Sequence, residues 1–355
     1  MSFAAIPVTV KSPVLLGSAH NPCLMSAESR PREPSYGFLY PTLLAVVYVA
    51  WLAYMEGAGR WDVFRQHWPV SVTMTVGSFI AGATAEGGAA VAFPVFTKLL
   101  HIPSPEARTF GLMIQAVGMT MASVIILTRR IKILPRVIVW VSLGGVLGQV
   151  IGTYLVTIPA PYPRILFTFV SSAFGAAMAL SRWHLNAAPR VRLPSWGGRY
   201  RLLFLVIGVL GGSFAAQTGS GIDMATFIVL TLAFGVSEKV GTPTTVVIMG
   251  LNSVVGFFLH GVVSRDIGVV WDYWLVAVPI VVLGAPLGAV VAARMKRDTI
   301  IRFLLFLIAL ELVTTLWLVP FSRTSVAITG LAVVLSALAF AGMLRYRGTL
   351  APAPA

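Results

Sequence analysis

Two carboxylates, Glu86 and Asp223, each lie inside a long apolar run that glycine interrupts. Residues 77–94 read GSFIAGATAEGGAAVAFP and residues 212–223 read GSFAAQTGSGID, so Gly77, Ser78, Phe79 and Ala81 recur at a shift of 135 as Gly212, Ser213, Phe214 and Ala216. A broken helix at membrane depth survives only where protein or a watery cavity satisfies its backbone. The tips Thr84, Ala85, Glu86, Gly87, Gly88 and Gln217, Thr218, Gly219, Ser220, Gly221 are therefore predicted to line one shared cavity near the midplane. A half-helix restarting after each tip, near Gly87 and near Gly221, would aim free N–H groups and a positive dipole end into that cavity, with glycine admitting a ligand close to the backbone. This is the chemistry of an anion site in a transporter.

Polar residues on the following spans extend the candidate site: Gln115 in the first half, and Thr242, Thr244, Thr245 and Asn252 in the second. The threonines have an alternative in bonding back to their own helix carbonyls. Glu86 and Asp223 support two readings, capping of the half-helix each precedes or carriage of a proton beside the anion. Glu311 is a third proton-coupling candidate, with packing or hydrogen bonding as its alternative. Lys98, Arg108 and Arg265 could draw anions electrostatically.

These residues must be held by membrane helices. With 57% hydrophobic and 11% charged residues and a mean hydropathy of +0.87, the chain is too apolar for a soluble fold and reads as an all-α polytopic membrane protein. The formal charge of +14 is taken as lysine and arginine held in cytoplasmic loops, not as a nucleic-acid surface. Cys23 stands alone in a polar leader, and the five histidines are scattered without ligand spacing, so neither a disulfide framework, a metal site nor a cofactor is expected.

Lysine and arginine number four in 129–136, five in 182–201, four in 294–302 and two in the tail, against one each at Arg164, Arg265 and Arg323 in the intervening loops. By the positive-inside rule the rich loops and both termini are cytoplasmic. Segments 70–101 and 202–235 then begin and end on one side each, as re-entrant hairpins with arms of roughly 14 residues or 21 Å; kinked full spans are the other possibility. The predicted order is a disordered cytoplasmic leader 1–37, an extra first span 38–57, a first repeat 70–183, a basic cytoplasmic linker 184–201, a second repeat 202–320, a last span 324–345 and a tail 346–355. Each repeat is one re-entrant or broken hairpin plus three spans, in opposite orientations: an inverted repeat. Gly148 and Gly152 match Gly284 and Gly288 at a shift of 136, a small-xxx-small spacing read as helix packing.

The stretches GATAEGGAAVAFP and AAQTGSGIDMATF, with the later EARTFGLMIQ and EKVGTPTTVVIMG, resemble the sulfite exporter TauE/SafE family of bacterial inner-membrane transporters over roughly residues 70–318. The resemblance implies outward movement of sulfite, sulfate, sulfoacetate or related organosulfonates, driven by the proton gradient, and leaves room for a homodimer. Val229 stands where the first stretch has Pro94, and the leader and first span precede the repeat, so the substrate within the family stays open. Competing readings are an anion channel of the same architecture and an intramembrane aspartyl protease built on Asp223, which would need a second, facing aspartate.

Overall fold

The computed structural model describes residues 36–85, 87, 95–156, 158–159, 161–183, 189–193, 196–319 and 321–350; residues 1–35 of the predicted leader, Glu86 and Gly88 lie outside them. The described residues form α1 (Leu39–Gly57), α2 (Asp62–Ala83), α3 (Ser104–Thr128), α4 (Pro135–Tyr154), α5 (Tyr162–Trp183), α6 (Gly198–Thr218), α7 (Ile222–Ile228), α8 (Glu238–Phe258), α9 (Val270–Arg294), α10 (Arg297–Leu318) and α11 (Arg323–Thr349). A wider helical turn extends α7 over Val229–Ala233 and α8 over Leu259–Ser264. Among the described residues nine helices are long and apolar enough to cross a membrane, and there is no strand.

Two helix pairs hold the centre, α2 along α9 and α6 along α4. Glycine makes both possible. A Cβ at Gly148 would meet the backbone of Val209 and Ser213, and one at Gly152 would meet Ser213 and Ala216; a Cβ at Gly284 would meet Ser78, and one at Gly288 would meet Phe79 and Ala83. The glycines repeated at a shift of 136 thus seat the serines repeated at a shift of 135, so each glycine-broken stretch rests on a helix from the other half of the chain. Membrane helices lack a hydrophobic drive to associate and gain instead from such close backbone approach.

α1 docks on α9 through another device. Pro279 and Pro286 have no N–H, which leaves the carbonyls of Leu275 and Val282 without helical donors. Trp51 Nε1 donates to Leu275 O at 2.9 Å and Tyr40 Oη to Val282 O at 3.1 Å, while Tyr48 Oη donates to Pro279 O at 2.5 Å. Groups that lipid could not satisfy are met by the aromatic face of α1.

The hairpin of residues 198–237 is visible directly. α7 folds back on α6, with Gly211 against Ile222 and Ala225. At its base Phe234 packs on Tyr200 and Phe204 at ring distances of 5.3 and 5.8 Å, and Arg190 N donates to Gly235 O at 2.8 Å. The arms differ from the equal halves predicted. α6 has 21 residues, about 31 Å, and Ile222–Ala233 about 18 Å. Likewise α2 begins at Asp62, eight residues before the predicted start, because the polar turn carrying Asp62, Arg65 and His67 is helical up to a kink at His67 two residues before Pro69. Polarity at a helix end had read as loop. The lengths of the remaining spans agree with the apolar runs to within a few residues.

Candidate functional site

α6 stops at Thr218 because Gly219 takes a left-handed conformation (φ 80°), its N–H closing on Ala215 O at 2.7 Å. Gly221, at φ 139°, then starts α7; a Cβ there would also strike the Phe214 ring at 2.7 Å. Only glycine fits. At the first tip α2 ends at Ala83 on an extended Thr84, whose N–H and hydroxyl both donate to Ile80 O at 3.0 Å, and Gly87 sits at φ 69°.

The two tips meet. A Cβ on Gly87 would lie 3.1 Å from Ser220 Oγ, 3.5 Å from Asp223 Oδ2 and 3.6 Å from Met249 Sδ. Thr84, Ala85, Gly87, Ser220, Gly221 and Asp223 are all buried. Beside them lies a small cavity lined by Ser78, Gln115, Thr218 and Gly219 among others.

Asp223 occupies its own helix start. Oδ1 accepts from Gly221 N at 2.9 Å and from Ser220 Oγ at 3.4 Å, and the amides of Asp223 and Met224 face the same carboxylate. The expected free N–H groups at this tip are therefore turned toward a protein carboxylate. Its second oxygen, Oδ2, is buried and has no hydrogen-bond partner. Asp223 is the second residue of α7, with Oδ1 bonded at the helix start and Oδ2 left facing Gly87.

Other predicted residues do different work. Gln115 Oε1 accepts from Ser253 Oγ at 3.2 Å and remains on the cavity wall. Gln217 ties α6 to the end of α4, donating to Gly152 O at 2.5 Å and Val156 O at 2.7 Å and accepting from Ile158 N at 3.2 Å. Thr218 donates to Phe214 O at 2.9 Å and to Ser220 O. Thr244 and Thr245 bond back to Val240 O and Thr242 O, and Thr242 lines a second cavity with Gly82 and Lys239. Asn252 Nδ2 donates to Gln149 Oε1 at 3.2 Å. Glu311 pairs at 3.1 Å with Arg164, which stands inside α5 and not in a loop, and accepts from Thr168 Oγ1 at 3.0 Å. This buried ion pair joins α5 to α10.

Sequence reasoning passed over Ser78 and Gln149. Ser78 Oγ is buried on the cavity wall without a partner, while its repeat mate Ser213 donates to Gly148 O at 3.0 Å. The repeated GSF was the available signal. Gln149, wholly buried, had none.

The aspartates that a protease would need are engaged elsewhere: Asp266 with His260 Nδ1 at 3.0 Å, and Asp272 with Arg60. Searches of curated proteins and of solved structures return no match. A family model described as Sulfite exporter TauE/SafE matches residues 70–316, from α2 to the last turn of α10 and across both tips. On that match the chain belongs to the sulfite exporter TauE/SafE family, whose members are multi-pass membrane transporters of sulfur anions and not enzymes.

Proposed function

We propose that the chain exports a sulfur oxyanion or organosulfonate across a bacterial inner membrane, held between the two tips and accompanied by a proton. The observation that carries this is the contact of Gly87 with Ser220 and Asp223, which brings both glycine-broken stretches to one buried point. Thr84, Ala85, Gly87, Thr218, Gly219, Ser220 and Gly221 form the site, with Gln115 on its wall; Glu86 and Gly88 join it by their place in the sequence.

Asp223 couples the proton. Ionised, it holds the N–H groups at the start of α7 and repels an anion; protonated on Oδ2, it holds them more weakly through Oδ1, no longer repels the anion and offers Oδ2–H to the substrate. The matched seating of α2 on α9 and of α6 on α4 supports the inverted repeat, with residues 70–183 and 202–320 as its halves and cytoplasmic termini. A homodimer is compatible with this arrangement.

The test is thermal shift of detergent-purified protein with sulfite, sulfate and sulfoacetate, beside Glu86→Gln and Asp223→Asn. A shift by one anion that a tip variant abolishes supports site and substrate together. Shifts unaffected by either variant would move the site away from the tips. Counterflow of labelled anion against its gradient separates coupled transport from a channel.

A further inference from the structure

Two cavities follow one another through the molecule. The first, beside the tips, extends past Gly111 to Ala107 near the start of α3. The second, a narrow crevice, runs from Gly82 and Thr242 to Lys239 and to Ile131, just beyond the end of α3. α3 has 25 residues and is about 37 Å long, so the cavities open toward opposite ends of the protein. They approach each other on α2, where Ala81 lines one and Gly82 the other. There Gly82 presses on Ala285, whose Cα would lie 2.9 Å from an added Cβ.

A cation stands by each cavity: Lys239 lines the second, and Arg108 adjoins Ala107 and Gly219, which line the first. Arg108 lies three residues before Gly111 and seven before Gln115, on the face of α3 that lines the first cavity. Its backbone touches the second tip: a Cβ on Gly219 would sit 2.9 Å from Arg108 O. Its Nε is buried and has no hydrogen-bond partner, and Asp266, the acid nearest in influence, is bonded to His260. Lys239 is exposed on the wall of the second cavity and makes no ion pair among the described residues. Its neighbour Glu238 is held by Arg297 at 2.5 and 3.0 Å. Both cations stand near helix N-termini, Lys239 in the first turn, where the dipole disfavours positive charge. Helix stability does not account for them.

We infer that Arg108 and Lys239 are the anion-capture residues at the two mouths of one transport path, each setting affinity for substrate arriving on its own side. The ligand class is a small oxyanion, drawn by charge before it reaches the tips. The inference rests on the transport reading above and adds to it the two access routes.

The experiment uses full-length protein in proteoliposomes of sorted orientation, with sulfite, sulfate and sulfoacetate presented on either face. Arg108→Gln is expected to raise KM on one face by roughly tenfold or more, leaving kcat and the opposite face unchanged, and Lys239→Gln to do the same on the other face. Equal effects on both faces, or a fall in kcat at constant KM, would overturn the inference. Independently of transport, Arg108→Cys and Lys239→Cys, each in a Cys23→Ser background, should react with a membrane-impermeant thiol reagent from opposite faces. Reaction from a shared face overturns the inference whatever is transported. Opposite-face labelling in a protein that moves none of the anions supports the two routes and removes the sulfur-anion reading instead.

Discussion

Alanine scanning of the glycines would show whether helix seating or tip chemistry sets the tolerance of this protein. Gly82→Ala is the sharpest case. The new Cβ would fall 2.7 Å from the carbonyl carbon and 2.9 Å from the Cα of Ala285, closer still to its oxygen, and these are backbone atoms that no rotamer change can move. Ordinary carbon contacts need about 3.5–4.0 Å, so α2 and α9 must separate by on the order of 1 Å, which forfeits roughly a quarter to a half of each dispersion contact along the pair. Overpacking of this kind costs about 1–3 kcal/mol, and the long α2–α9 seam puts Gly82 at the upper end. Gly284→Ala offers a graded comparison, since its Cβ would meet the Ser78 hydroxyl, a side-chain atom that can turn away. Gly330→Ala, with nothing within 4 Å and a helical setting, should stabilise by up to about 1 kcal/mol. Thermal unfolding in detergent, followed by tryptophan fluorescence and size exclusion, ranks the three. Unfolding of Gly82→Ala at or above the wild-type temperature would refute the close seating of α2 on α9.

Gly87→Val should remove transport while leaving membrane insertion intact, because the side chain meets Ser220 and must adopt a left-handed backbone costing about 1–2 kcal/mol; normal uptake into vesicles would take the first tip out of the site. With one proton carried per anion through Asp223, wild-type affinity should strengthen as pH falls, by up to about tenfold per unit, and Asp223→Asn should flatten that slope; a slope kept in the variant assigns the proton elsewhere. Arg164→Met alone should destabilise by about 3–5 kcal/mol, since it strands Glu311 in the interior, and Arg164→Met with Glu311→Leu should recover most of the loss. A double variant as unstable as the single one would show that the pair itself is required.

Much of this arrangement was legible in the sequence because lipid leaves few options. Apolar runs of the right length marked the spans, and the repeated GSF and the glycines at 148, 152, 284 and 288 marked the seams that the helices use. The start of α2 is hard to read locally because a polar helical turn and a polar loop have the same composition; the turn is held by Phe64 against Trp51 and His67 against Tyr273, contacts with distant helices. Arg164 was placed in a loop for the same reason, when its partner Glu311 lies in a helix 147 positions later and the pair cannot be read locally. Of the candidate site, the second tip's break between α6 and α7 is visible in the sequence from glycine and broken hydropathy. The orientation of Asp223, the diversion of Gln217 to α4 and the amide pair Gln149 and Asn252 depend on contacts between distant segments, which composition does not encode.

The pairing of α2 with α9 has a consequence for synthesis. Roughly 190 residues separate the end of α2 from the start of α9, and at about 5–20 residues per second the ribosome needs about 10–40 s to supply them. During that interval the small-residue face of α2, with Ser78 and its hydroxyl, has no seat. It must wait in the insertion machinery or against lipid, whereas α6 emerges with α4 already made. The first glycine-broken stretch is therefore the late-assembling half of the centre, and translation slowed or truncated before α9 is complete would leave it as the exposed element that quality control meets.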